Sequence, residues 1–385
     1  MPFIAEHLGL NPRNITFEDH AVLPGVGAVG IEIELENIGG NGRWPTVEGW
    51  VRKDDGSLRN GKEYIFDGPQ SGGTALASIQ NMARVMGETG VDPTFRCSTH
   101  IHLDVRDMDW NQYERLVLLY MVFEDVFFDH CQPYRRQSNF CIPFQNNDWL
   151  SNNFGRRVLS TQEAARKFHG VSQWPKYSGL NLQVTGSFGS VEFRGSHAIT
   201  DEVELTQLAQ RMLYLKKFAM EDKSEDHFKF INKLVEVGAN QVFPVGLRDG
   251  YVMEPGAKEQ GLSTATHALI VSAMTRTNEP VMDFGMRPDP NRVQRDLVRQ
   301  ALTYRGVWRR EALLGLNIQV PQGNASLMNA INMMVALNKL DGINVTLRQI
   351  VDLPNIDSLI TIRQNLDVFH QHYGHNAEAT LANLQ

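Results

Sequence analysis

Gly30-Ile31-Glu32-Ile33-Glu34-Leu35-Glu36 is the stretch whose reading decides the fold. Successive side chains of a β-strand point to opposite faces. Val29, Ile31, Ile33 and Leu35 therefore share one face, and Glu32, Glu34 and Glu36 the other. Neighbouring carboxylates repel one another unless water or a cation neutralises them. Inside a fold, such a strand calls for a divalent metal. On an exposed edge, it calls for nothing.

Three further segments alternate in the same way. In His100-Ile101-His102-Leu103-Asp104-Val105-Arg106 the odd positions are apolar and the even ones carry His, His, Asp and Arg. Leu180-Asn181-Leu182-Gln183-Val184-Thr185 sets Asn181, Gln183 and Thr185 against an apolar face, and Val191-Glu192-Phe193-Arg194 sets out Glu192 and Arg194. Gly186-Ser187-Phe188-Gly189 between them reads as a hairpin turn. Asp54-Asp55-Gly56-Ser57 reads as another turn, leading to Glu63 in a strand over Lys62 to Phe66.

Helical spacing fills the intervals. It predicts helices over 74–88 and 109–130, the second opened by Asp109 as N-cap, with Tyr113, Leu116, Val117, Tyr120 and Phe123 on its apolar side. Beyond residue 200 the pattern turns helical: Asp201 and Glu204 resemble a capping box, and Leu205, Leu208, Met212 and Leu215 follow. Residues 255–265 and 277–290 read as loops, and 291–304, 324–340, 346–352 and 356–372 as helices. The expected class is α+β, with a mostly antiparallel sheet that has one polar face and helices packed behind it. The charged run 222–226 divides residues 1–222 from a mainly helical region, 223–385.

The composition is that of a globule with a proper core, 42% hydrophobic over 385 residues. The run Leu116 to Phe123 is too short to span a bilayer, so no membrane partner is expected. A net charge of −7 argues against an extensive nucleic-acid-binding face. Three cysteines, and an N-terminus lacking a basic segment followed by an apolar one, lead to the expectation of a cytoplasmic protein.

The polar faces together carry Glu32, Glu34, Glu36, His100, His102, Asp104, Asn181, Glu192 and Arg194. A merely solvated strand face is commonly Thr, Ser, Lys and Gln. Acids and imidazoles with a guanidinium beside them instead suit a hard cation bound through oxygen and a phosphate held by Arg.

The order of these motifs resembles the putative amidoligase family, carboxylate–amine ligases with a glutamine-synthetase-like catalytic fold. It runs Gly30-x-Glu32-x-Glu34, Asp55-Gly56-Ser57 with Glu63, Cys97-x-x-His100-x-His102, Asn181, then Val191-Glu192-Phe193-Arg194. The resemblance covers roughly residues 25–215. The family's usual Cys-Gly-x-His-x-His is here Cys97-Ser98-Thr99-His100-Ile101-His102, and its Ser-Pro step after the Glu is here a longer path from Glu63 to Pro69.

The resemblance implies ATP-dependent amide formation through an acyl phosphate, from one substrate with a carboxylate and another with an amine. It implies Mg²⁺ or Mn²⁺ held by Glu32, Glu34, Glu63, His102 and Glu192, with Arg194, Glu192 and Glu63 in catalysis. His100, Asn181, Lys176, Arg135 and Arg136 are the candidates for nucleotide or phosphate contact, and a homo-oligomer is compatible with it.

Two other function classes stand beside the ligase: a metal-dependent hydrolase built on His100 and His102, enlisting His169 or His197, and a binding or structural protein on a decayed ligase scaffold. Gly25-Val26-Gly27-Ala28-Val29-Gly30 matches GxGxxG in letters, but a strand follows it where a dinucleotide fold needs a helix. Cys97 reads as a core residue rather than a nucleophile, and His370, His372 and His375 as exposed imidazoles of a terminal helix.

Overall fold

The computed structural model describes residues 2–39, 42–138 and 140–276. The acidic stretch forms a strand inside a six-stranded sheet. The strands are β1 (Val29–Leu35), β2 (Trp50–Lys53), β3 (Lys62–Phe66), β4 (Ser98–Asp104), β5 (Leu180–Asn181) and β6 (Ser190–His197). Their order is β2-β3-β1-β4-β6-β5, and every neighbouring pair is antiparallel. The helices are α1 (Ile4–His7), α2 (Gly72–Thr89), α3 (Trp110–Asp129), α4 (Asp148–Phe154), α5 (Ala164–Ser172), α6 (Thr185–Phe188), α7 (Glu202–Glu221), α8 (His227–Glu236), α9 (Ala239–Val242) and α10 (Ala257–Arg276).

Period-two patterning fixes which face is dry. Ile31, Ile33, Leu35, Ile101, Leu103, Val191 and Phe193 are fully buried in one core cluster with residues of α2, α3, α7 and α10. The rings of Tyr120, Phe127 and Phe128 on α3 lie 6.3, 5.1 and 5.5 Å from the Phe193 ring. Burying one such large side chain contributes roughly 1.5–3 kcal/mol, so α3 is the main cover of the sheet's apolar side. α3 opens on a reciprocal box in which Asp109 accepts from the Gln112 N–H and the Gln112 side chain accepts from the Asp109 N–H, 2.9 Å each.

The structure departs from the sequence reading in identifiable ways. Only Leu180 and Asn181 pair as a strand, because the Asn181 side chain accepts the Gln183 N–H (2.9 Å) and turns the chain away. The expected hairpin turn over 186–189 is α6, closed by Gly189 at φ +67°, where a Cβ would meet the Arg106 side chain. The strand β2 has no counterpart in that reading.

At α7, Asp201 accepts from the Glu204 N–H at 2.9 Å, but the Glu204 carboxylate turns to His197 (3.5 Å), so only half of the expected box forms. Residues 257–265, expected as loop, are the first half of α10. Gly261, which suggested a break, lies where a Cβ would stand 2.4 Å from the Val122 carbonyl oxygen. It lets α10 press on the backbone of α3. The loop 277–290, the four helices from 291 to 372 and the histidines at 370, 372 and 375 lie outside the described residues. Within the described residues no helix is long and apolar enough to cross a membrane.

Candidate active site

Register assembles the polar face. Glu32 of β1 stands opposite His100 of β4, Gly30 opposite His102, and Glu34 opposite Glu63 of β3. His102 in turn faces Glu192 of β6, which faces Asn181 of β5. Side chains from five separate stretches of chain thus meet on one side of the sheet. Gly30 leaves room above the strand: a Cβ there would sit 3.5 Å from that of His102.

The donors form two groups. Glu32, His102 and Glu192 offer ligand atoms all within 4.8 Å of one another, and so do Glu34, Asp55 and Glu63. Asp55 reaches the second group from the turn that precedes β3. The first group has two carboxylates and an imidazole, the second three carboxylates. Both donor sets fit a hard divalent cation.

Around the first group the bonds are specific. His100 Nδ1 lies 3.4 Å from Glu32 Oε2 and 3.4 Å from Glu192 Oε1. His102 Nε2 is 3.4 Å from Glu32 Oε1, while its Nδ1 meets Ser190 Oγ at 3.1 Å. Asn181 Nδ2 donates to Glu192 Oε2 (2.7 Å), and the Arg194 guanidinium donates to Glu192 Oε1. Between the groups, Ser98 Oγ is 2.5 Å from Glu34 Oε2 and 2.9 Å from His100 Nε2.

The electrostatics follow from burial and charge. Burial alone would raise Glu32, but hydrogen bonds and charge from His100 and His102 hold its carboxyl far below the usual range. Glu192 is likewise lowered, Arg194 and the two imidazoles outweighing the burial. Burial would lower His102, yet its hydrogen bond to Glu32 and the nearby Glu192 raise it. Burial works against the charge of Arg194 too, and Glu192 beside it reverses the effect. Glu63 behaves differently: burial, then the charges of Glu32, Asp55 and Glu34, push it up to about 7. The second group therefore carries more negative charge than its surroundings compensate.

Several candidates lie elsewhere. Arg135 is buried and donates to main-chain carbonyls of β6, from its guanidinium to Arg194 O (2.7 Å) and Gly195 O (3.1 Å). The β4–β6 register slips between Thr99 and Ile101, where β6 carries one extra residue, so these carbonyls belong to a bulge. Bulges re-aim side chains next to active sites. Arg135 thus holds the bulge that presents Arg194.

Arg136 is paired with Asp125 and Asp129 below the Phe128 ring. Lys176 is exposed on the segment before β5. Glu36, just past β1, is buried and accepts from the Arg59 N–H and Thr94 Oγ1. Asp104 is tied to Arg106 (2.6 Å). His169 is exposed on α5 and His197 is paired with Glu204, so neither joins a donor group. Cys97 is buried, and burial followed by the charge of Glu36 pushes its thiol up to about 12, which suits packing and not nucleophilic attack.

Sequence reasoning passed over Asp55 and Ser98 as site residues. The signal for Ser98 was its parity: it precedes His100 by two and shares its face. Asp55 sits in a turn, where period-two arguments do not reach.

No curated protein and no solved structure matches the chain. Residues 69–215 do match a family model, described as putative amidoligase enzyme. The matched span contributes His100, His102, Asn181, Glu192 and Arg194, while Glu32, Glu34, Asp55 and Glu63 come from the chain ahead of it. By that match, residues 69–215 are similar to the putative amidoligase family.

Proposed function

We propose that this face is the centre of an ATP-dependent carboxylate–amine ligase that makes an amide or isopeptide bond through an acyl phosphate. A substrate carboxylate attacks the γ-phosphorus of ATP, the bond to the β-bridging oxygen breaks, and ADP leaves. An amine then attacks the acyl carbon, phosphate departs, and the ammonium loses a proton. What supports the reading is the juxtaposition of two cation-type donor groups on neighbouring strands with a buried guanidinium at one end.

Mg²⁺ or Mn²⁺, held by Glu32, His102 and Glu192 on one side and Glu34, Asp55 and Glu63 on the other, would neutralise charge between phosphates and the attacking carboxylate. The rest falls to the chain's own groups. Glu192, bonded to Asn181 and Arg194, fixes the fork of Arg194 toward the transferring phosphoryl group. His100 and His102 hold Glu32 ionised. A cation held by Glu34, Asp55 and Glu63 would remove the excess negative charge that raises Glu63, which then serves as its ligand.

The test incubates the full chain with ATP, Mg²⁺ and libraries of acids and amines, with ADP release and product masses as readout. ADP that depends on metal and rises with one acid–amine pair is the expected result. Activity without ATP would favour the hydrolase, and failure to bind ATP would favour the decayed scaffold.

A further inference from the structure

Phe188 is the most exposed phenylalanine among the described residues, with 68% of its surface open. The backbone beneath it is nevertheless fixed. Its N–H donates to Val184 O at 2.8 Å, and Gly189, at φ +67°, ends α6 against the Arg106 side chain. Thr185 Oγ1 donates to Ser190 O and accepts from Tyr113 Oη, at 2.9 Å each. A large apolar ring is thus held out into solvent by a short helix pinned to β6 and α3. It stands at the border of the polar face: its centroid lies 6.3 Å from that of the His102 ring, with the two planes 81° apart.

The register gives that face a direction. β6 runs antiparallel to β4, pairing Ser190 with Asp104, Glu192 with His102 and His197 with Ser98. Arg194 follows Glu192 toward the Ser98 end, where Ser98 Oγ meets Glu34 of the second donor group. Phe188 precedes Ser190, beyond the opposite end. The stretch of β4 from Ser98 to His102 covers about 13 Å at about 3.3 Å per residue. The second donor group, Arg194, His102 and Phe188 therefore follow one another along the sheet.

We propose that Phe188 is the platform on which the base of the nucleotide stacks. The inference rests on the ATP reading given above. In that reading the γ-phosphoryl group lies at Arg194, where the substrate carboxylate meets it, so the rest of the nucleotide leads away from the second donor group. Its path passes His102, opposite which Gly30 contributes no side chain, and reaches the uncovered phenyl ring. That ring offers a flat apolar face and no hydrogen bond. Every base has a matching π-face, so the platform takes ATP and GTP alike. A stacked base would also remove the apolar surface of Phe188 from water.

The experiment titrates the full chain, in Mg²⁺, with ATP, GTP and inorganic tripolyphosphate by calorimetry. Tripolyphosphate is the probe that lacks a base. The wild type should bind ATP more tightly than tripolyphosphate. Phe188→Ala should weaken ATP and GTP roughly 5- to 100-fold and leave tripolyphosphate within about twofold of wild type. Phe188→Trp should keep the nucleotide affinity, and its added indole fluorescence should be quenched by ATP but not by tripolyphosphate.

The ring is exposed, so both variants should melt with the wild type. A loss shared by ATP and tripolyphosphate would mean that the ring shapes the cation pockets through His102, and it overturns the platform. Unchanged ATP affinity in Phe188→Ala overturns it too, leaving the ring to the acid or the amine. So does a wild type that binds tripolyphosphate as tightly as ATP. A wild type that binds neither refutes the ATP reading itself, and the platform falls with it.

Discussion

Glu63→Gln is the most revealing single change, because it removes charge from a site where charge is in excess. The Glu63 carboxyl is pushed from its ordinary 4.5 up to about 7 by burial and by Glu32, Asp55 and Glu34. At about 1.4 kcal/mol per pH unit, that rise corresponds to roughly 3 kcal/mol. Glu63 is only half-buried, so solvent screening reduces it to about 1–2 kcal/mol.

The sign follows from which state holds the proton more tightly. Below about 4.5 both folded and unfolded chains are protonated, and the group costs nothing. Between 4.5 and about 7 the unfolded chain ionises first, so stability falls as pH rises. Above about 7 the full penalty is present. Glu63→Gln, measured by urea unfolding in chelator, should therefore exceed the wild type by about 1–2 kcal/mol near pH 8 and match it near pH 4.5. Saturating Mg²⁺ or Mn²⁺ should reverse the order, since a ligand at about 100 times its Kd adds about 2.7 kcal/mol to the protein that binds it. A variant no more stable than wild type near pH 8 without metal would show that these carboxylates do not repel.

Other expectations follow from the same site and its support. Arg194→Ala should lower ATP turnover by about 10²–10³-fold. It should also destabilise by about 3–5 kcal/mol, because Glu192 is left buried without its partner; the pair Glu192→Gln with Arg194→Met should recover stability in urea but not turnover. Arg135→Ala strips donors from the Arg194 and Gly195 carbonyls, so about 2–4 kcal/mol of stability should go together with turnover, Arg135→Lys being intermediate in both assays. Lys167 and Glu114 form a buried ion pair behind the sheet. Lys167→Met should cost about 3–5 kcal/mol in urea unfolding and Lys167→Met with Glu114→Leu much less, neither changing Mn²⁺ affinity.

The sheet and its polar face were legible in the sequence wherever the period was clean. β1, residues 100–104 of β4 and residues 191–194 of β6 alternate cleanly, and α3 and α7 announce their starts through Asp109 and Asp201. Residues 180–185 alternate equally well, but the Asn181 side chain captures a backbone N–H and ends the strand after two residues. Arg135 was expected near phosphates because a lone arginine in sequence says nothing about its partners. Its work on the bulge carbonyls depends on a register slip that periodicity cannot reveal. Asp55 and Ser98 acquire meaning only once β3, β1 and β4 lie side by side.

The missing side chain at Gly261 reaches further than its own helix. A Cβ there would stand 2.4 and 2.7 Å from the Val122 and Met121 carbonyl oxygens, beside the kink that α3 makes at Phe123. On either side of that kink, Tyr120 and Phe127 set their tilted rings 6.3 and 5.1 Å from Phe193, which lies directly between Glu192 and Arg194. One added methyl at 261 would wedge the two backbones apart and shift those rings. The geometry of the polar face is thus sensitive to position 261, where the lack of a side chain lets two helices touch.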